Sequence, residues 1–304
     1  MPKDLHELPK VRDGLSYLYL EHCKIEKDEQ SIAIFDKGGM TRIPIATLSL
    51  LMPGPGTSIT HDAVKVIADN GCLIIWCGED GVRFYAQGLG ETRKASKLLR
   101  QAQLVCDPTK RLEVAKRMYG VRFPDRPDMN KMTLEEMRGW EGARVRAAYS
   151  RASKQYGILW EGRSYRRENW HEADPVNRAL SAANSCLYGI CHAAIVAAGY
   201  SPGLGFIHTG KQLSFVYDVA DIYKINISVP IAFEIASQGQ EQLERRVRVR
   251  MRDAFREQKL LARIIPDIDD ILGISEQEQD SENDYDGDAA LPAPLYSEST
   301  QGEN

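Results

Sequence analysis

The stretch CLIIWCGEDGVRFYAQGLGETRKASKLLRQAQLVC, residues 72–106, changes its period partway along and so decides the fold. Residues 72–76 are a continuous apolar run of strand length, and a second run at 82–86 follows the turn signal Gly78-Glu79-Asp80-Gly81. Gly88-Leu89-Gly90-Glu91 reads as a linker, and residues 94–106 then carry a helical pattern. Working back from this switch, further strand-like runs lie at 15–20, 31–35 and 43–51, with Asp36-Lys37-Gly38-Gly39 as a turn. One helix, about 61–69, follows Pro53-Gly54-Pro55-Gly56 and ends before Gly71. Working forward, helices are predicted at 108–119, 133–156, 175–198, 214–236 and 242–263, and a short one at 265–272. Asp174-Pro175 caps and starts the fourth of the downstream helices, and Gly199 with Pro202 closes it. The expected class is α+β, an N-terminal β-sandwich with one helix followed by an all-α domain. The boundaries are 1–87 for the sandwich, 88–97 for the linker, 98–275 for the helical domain and 276–304 for an acidic, Pro-containing disordered tail.

Hydrophobic and charged contents of 43% and 27% are those of a soluble globular protein of 304 residues, long enough for two cores. The first residues lack a basic segment followed by an apolar one, so no secretory signal is expected. The apolar run 179–199 is interrupted by Asn184, Ser185 and His192 and reads as a buried helix rather than a membrane span. The six cysteines show no CxxC pair and have mostly apolar neighbours, which points to packing thiols and a cytoplasmic location, with zinc disfavoured. Charge is unevenly divided. Beyond Arg263 there are twelve acids and no Lys or Arg, so a whole-chain charge of −4 leaves +8 on residues 1–263. A basic body suits a polyanionic partner.

Three places carry unexpected chemistry. On the helix from Thr133, Leu134, Met137, Glu141, Val145, Ala148 and Ala152 form one stripe, and Glu141 is its only charge. A carboxylate on such a face needs a cation, either a metal ion or an arginine from another helix. Asp218 and Asp221 lie three apart among apolar residues, and so share a side of their helix. Two buried acids there would repel each other, and a divalent ion compensates both; the alternative is a helix N-terminus favoured by its dipole. His208 stands in the glycine-rich segment 203–210, ten residues before Asp218, as a candidate ligand. One histidine and two or three carboxylates suit Mg²⁺ or Mn²⁺ better than zinc. Such an ion polarises phosphoryl oxygens.

Arg245, Arg248, Arg252, Arg256, Lys259 and Arg263 recur at steps of three or four, with Val247, Met251, Ala254 and Phe255 turned elsewhere. A single sign along one line favours phosphate tracking over a merely solvated face. Lys211 and Lys224 flank the candidate ligands. Thr209-Gly210-Lys211 lacks the upstream glycine of a Walker loop, and Pro53-Gly54-Pro55-Gly56 reads as a plain turn.

The segments RGWEGARVR (138–146), WEGRSY (160–165), SCLYG (185–189), GFIHTGK (205–211) and LSFVYDVAD (213–221) resemble the larger, catalytic CRISPR-associated adaptation protein of type I-E systems. The resemblance runs to about residue 275. It implies a sandwich that dimerises, a catalytic helical domain, and a homodimer that associates with a small companion adaptation subunit. It also implies an integrase and endonuclease that joins the 3′-hydroxyl ends of captured double-stranded DNA with 3′ overhangs to CRISPR repeat DNA by transesterification. The metal ligands carry over as Glu141, His208 and Asp221, with Asp218 and Lys224 beside them as catalytic candidates. Lys211, Lys224, Arg245 and Arg248 match DNA-holding positions. Arg252, Arg256, Arg83, His22, Tyr165 and Tyr188 complete the candidate contacts. His22 stands where relatives place a tyrosine that stacks on the fragment's duplex end, and an imidazole can also stack on a base. A branched-DNA repair nuclease and a non-catalytic DNA-binding scaffold are the competing readings. In the tail, residues 289–296 offer Leu291, Leu295 and Tyr296 on either side of Pro292 and Pro294, the composition of a docking peptide for the companion subunit, with a merely solubilising tail as the alternative.

Overall fold

The structure, a computed structural model, describes residues 17–48, 50–78, 84–88, 95–124, 132–162 and 174–274. Strands β1 (Tyr17–Leu20), β5 (Leu50–Pro53), β7 (Leu73–Cys77) and β8 (Phe84–Gln87) form one four-stranded sheet in the order β1-β5-β7-β8, with β8 antiparallel to β7. Strands β4 (Gly39–Pro44), β3 (Ser31–Asp36), β2 (Lys24–Asp28) and β6 (Ser58–Ile59) form the second, in the order β4-β3-β2-β6. Ile25, Ile32 and Ile34 of the second sheet meet Leu51 and Ile74 of the first in one core, which α1 (His61–Asp69) completes with Ala63, Val66 and Ile67.

The opposite face of the first sheet is also buried. Leu50, Met52, Leu73, Ile75 and Cys77 join the helical core. A strand covered on both faces has no polar side to alternate with, which is why residues 72–76 read as continuously apolar. Two strands escape the sequence pattern. β2 alternates Lys24, Glu26 and Asp28 with few apolar residues, and Ile25 alone anchors it in the core. β6 is two residues long. The run 43–51 is not one strand, because β4 ends at Pro44, a 3₁₀ turn follows over Ile45–Thr47, and β5 begins at Leu50. Pro53-Gly54-Pro55-Gly56 is a turn, in which His22 N–H donates to the Pro55 carbonyl (2.9 Å). A side chain at Gly54 would strike the Tyr19 ring, so a larger residue there would have to displace that ring.

The helices are α2 (Ser96–Cys106), α3 (Pro108–Arg122), α4 (Leu134–Tyr156), α5 (Pro175–Ala197), α6 (Ser214–Lys224), α7 (Ser228–Ser237), α8 (Leu243–Glu257) and α9 (Leu260–Leu272). α2 starts inside the segment read as a linker. Asp107 and Asp174 cap α3 and α5 ahead of prolines, and Thr133 with Glu136 forms a capping box on α4. α5 is long and apolar enough to cross a membrane, yet Leu180, Leu187, Cys191 and Ile195 are fully buried against α6, α7, α8 and α9.

Two predicted helices divide. The span 214–236 breaks between α6 and α7, where β-branched Ile225 and Ile227 flank Asn226, and Pro230 needs a first helical turn, where its missing N–H costs nothing. The span 242–263 breaks at Lys259, which adopts a left-handed backbone (φ 48°). The break therefore precedes Pro266, which α9 absorbs instead of starting at it.

Candidate functional site

α3, α4, α5, α6 and the segment between α5 and α6 bring the candidate residues together. The stripe on α4 is met by buried Met137, Ala148 and Ala152. Glu141, in that stripe, points at α3, where the Tyr119 hydroxyl donates to Oε2 (2.9 Å) and the Arg122 guanidinium pairs with Oε1. Burial, reinforced by Glu141, raises the Tyr119 phenol above its ordinary value, so it stays a donor. The same Arg122 nitrogen lies 3.6 Å from Asp221 Oδ2, and Lys224 pairs with Asp221 Oδ1. Burial alone depresses the Lys224 ammonium, but Asp221 and Tyr188 outweigh it and hold its pKa above the usual lysine value. Lys224 also stands over the Tyr188 ring, 5.3 Å from its centre.

Asp218 does something else. Its carboxylate, 1% exposed, accepts from the backbone N–H groups of Phe206 (2.6 Å), Ile207 (3.0 Å) and His208 (2.8 Å), and bonds His208 Nδ1 at 2.7 Å. The expected repulsion between Asp218 and Asp221 is thus answered separately, by three N–H groups and an imidazole for one and by two cations for the other. Asp218, a catalytic candidate from the sequence, thus holds the segment 206–208 by its hydrogen bonds. It turns the segment and orients the ring of His208, whose pKa its hydrogen bond raises.

Sequence reading missed the clamps on that segment. Fully buried Gln101 donates to the carbonyls of Ser201 (3.0 Å) and Leu204 (2.9 Å) and accepts from Ser201 N–H (2.8 Å). Arg111 Nε donates to the Phe206 carbonyl (2.9 Å), and Arg138 to that of Ile207 (3.3 Å). A side chain at Gly205 would lie 2.3 Å from the His208 carbonyl, so the glycine is required by close packing. A glutamine inside an amphipathic helix was the only hint of this arrangement.

Glu141 and Asp221 converge on a single guanidinium, and His208, with Nδ1 committed to Asp218, has Nε2 left for a ligand. That donor set fits a hard divalent ion. Among the described residues, no three such side chains stand close enough together to hold a metal ion as they are placed, and Arg122 contacts both acids.

On α8, Arg245 and Arg256 are exposed and Arg248 and Arg252 half-buried, while Leu243, Val247, Met251 and Ala254 face the core. Lys259 and Arg263 leave this line at the helix break. Arg252 is partly engaged by Asp253 (3.1 Å). Lys211 and His22 are exposed, and Tyr188 packs edge-on to Tyr217 (5.1 Å). Arg83, Tyr165 and the tail lie outside the described residues.

Two sheets joined to a helical body of this kind match solved structures along most of the chain. One, described as the crystal structure of a TtCas1–DNA complex, is 54% identical with a TM-score of 0.79, covering 87% of this chain and 99% of that one. The chain belongs to the family described as CRISPR associated protein Cas1, whose model it matches over residues 16–123 and 126–262. Two relatives, each described as a CRISPR-associated endonuclease Cas1, come from Thermus thermophilus (53% identical, 93% of this chain and 87% of that protein) and Escherichia coli (42% identical, 96% and 95%).

Proposed function

We propose that this chain is a DNA endonuclease and integrase of CRISPR adaptation, which joins captured DNA to a repeat array with Mg²⁺ or Mn²⁺ held by Glu141, His208 and Asp221. The observation that carries the reading is the convergence of two carboxylates on one cation beside an imidazole oriented by Asp218. The DNA complex of a 54%-identical relative supports a nucleic-acid partner. The endonuclease descriptions of the relatives support phosphodiester chemistry.

In this reading the oxygen of a fragment's 3′-hydroxyl bonds to the phosphorus at the repeat boundary. The attacking hydroxyl gives up its proton, the bond from that phosphorus to the neighbouring 3′ oxygen breaks, and the released oxygen takes up a proton in turn, so the exchange is proton-neutral. A divalent ion supplies charge stabilisation at the phosphoryl group. Asp218 accepts from Nδ1–H of His208 and so leaves Nε2 as the acceptor end of the ring. Lys224, kept cationic by Asp221, and exposed Lys211 offer charge to the flanking phosphates. The line Arg245, Arg248, Arg252 and Arg256 holds the duplex by its backbone. The working assembly is a homodimer with the small companion subunit.

The test is a labelled fragment with 3′ overhangs, a supercoiled repeat plasmid and the companion subunit, with Mn²⁺, Mg²⁺ or chelator. Metal-dependent joined product is expected. Cutting without joining would support a repair nuclease, and binding alone a scaffold.

A further inference from the structure

We propose that Arg122 is a built-in counter-cation of this site, which binds the two acids together and must turn away before a divalent ion takes its place. The inference rests on the assignment of Glu141 and Asp221 as metal ligands.

All four carboxylate oxygens are already engaged. Glu141 takes Arg122 on Oε1 and Tyr119 on Oε2, and Asp221 takes Lys224 on Oδ1 and faces Arg122 with Oδ2. Tyr119 serves only one acid and Lys224 only the other. Among the described residues Arg122 alone is common to both acids, so an ion held by both would compete first with Arg122.

The Arg122 side chain is 6% exposed, deeper than Glu141 (19%) or Asp221 (14%). Its guanidinium lies over the Phe123 ring, 5.0 Å from the centre, and its Nε is buried without a hydrogen-bond partner. A buried donor left unmatched is costly. The guanidinium is therefore held by its charge toward the two acids rather than by a complete set of hydrogen bonds. A unit charge held this close to a divalent ion opposes it, since like charges at contact distance still repel at an effective dielectric near 20. The predicted consequence is a site that is closed and neutralised at rest, with its metal affinity set by Arg122.

The experiment is calorimetric titration of the full chain with Mn²⁺ alone, for wild type, Arg122→Met, Arg122→Gln and Asp221→Asn, with folding followed by circular dichroism. Both Arg122 variants are expected to bind Mn²⁺ roughly tenfold more tightly than wild type. Wild-type or weaker affinity in a folded variant overturns the proposal, and would make Arg122 a support for the ligands instead. Asp221→Asn should lose the ion. If it binds as wild type does, or if no chain binds Mn²⁺, the ligand assignment fails and the proposal with it. Should neither Arg122 variant fold, a crystal structure of the wild-type chain with Mn²⁺ decides. Arg122 is then expected beyond hydrogen-bond reach of both acids, and an Arg122 still bridging them refutes the idea.

Discussion

Asp221 sits between Arg122 and Lys224, and its removal would leave two partly buried cations facing each other across an amide. Asp221→Asn is therefore expected to destabilise the metal-free protein by about 2 kcal/mol, because breaking one side of a buried pair strands the other. Thermal unfolding checks this, and an unchanged or raised melting temperature would show that repulsion from Asp218 dominates after all. At this scale the sequence was informative about the odd residue and silent about its partner. Glu141 is visible as an acid on an apolar stripe, with an arginine of another helix as one of two answers. That the arginine is Arg122, nineteen positions earlier, depends on how α3 packs on α4. His208 and Asp218 were read as neighbours, but a spacing cannot say that three backbone N–H groups would neutralise Asp218.

α2 reaches the site through Gln101, whose three hydrogen bonds hold the segment leading to His208. Gln101→Leu keeps the volume and removes the bonds, leaving the half-buried backbone groups of Ser201 and Leu204 unmatched at a cost of about 2 kcal/mol. We expect joining to slow while DNA affinity stays within about twofold, since the segment positions a ring rather than a phosphate contact. Single-turnover joining and filter binding on the same preparation separate the two, and equal losses in both would make Gln101 purely structural. α8 makes a different claim. Replacing Arg245 and Arg248 with Ala should lower the slope of log affinity against log salt by roughly 1.8, about 0.9 for each lost phosphate contact. An unchanged slope would mark them as ordinary surface charges. Helix periodicity revealed α8 but not its end, because the left-handed turn at Lys259 uses a residue that gives no turn signal. Asn226 between two isoleucines is an equally faint mark for the end of α6.

The two halves of the molecule meet where the first sheet lies on α5, and His192 of α5 stacks on Phe84 of β8 (3.7 Å between ring centres). Burial holds this imidazole down at about 4, against an ordinary 6.5. The unfolded chain takes up a proton in that window and the folded chain resists it, so stability falls as pH drops from 6.5 towards 4. The loss is about 2 kcal/mol at pH 5, and it should vanish in His192→Phe. Urea melts at pH 7 and pH 5 measure it, and the same pH dependence in the variant would place the effect elsewhere. The α+β division was legible in residues 72–106, since strand and helix periods differ, and the unbroken apolar run of β7 carries its burial on both faces, but which elements cover those faces is a tertiary fact that no period reports. The most direct test of the account is strand transfer by Glu141→Gln, His208→Ala and Asp221→Asn under saturating Mn²⁺, with DNA binding measured alongside. The account predicts that each variant still binds DNA and folds but loses joining by at least about a thousandfold. Joining at the wild-type rate by any one of them would contradict it.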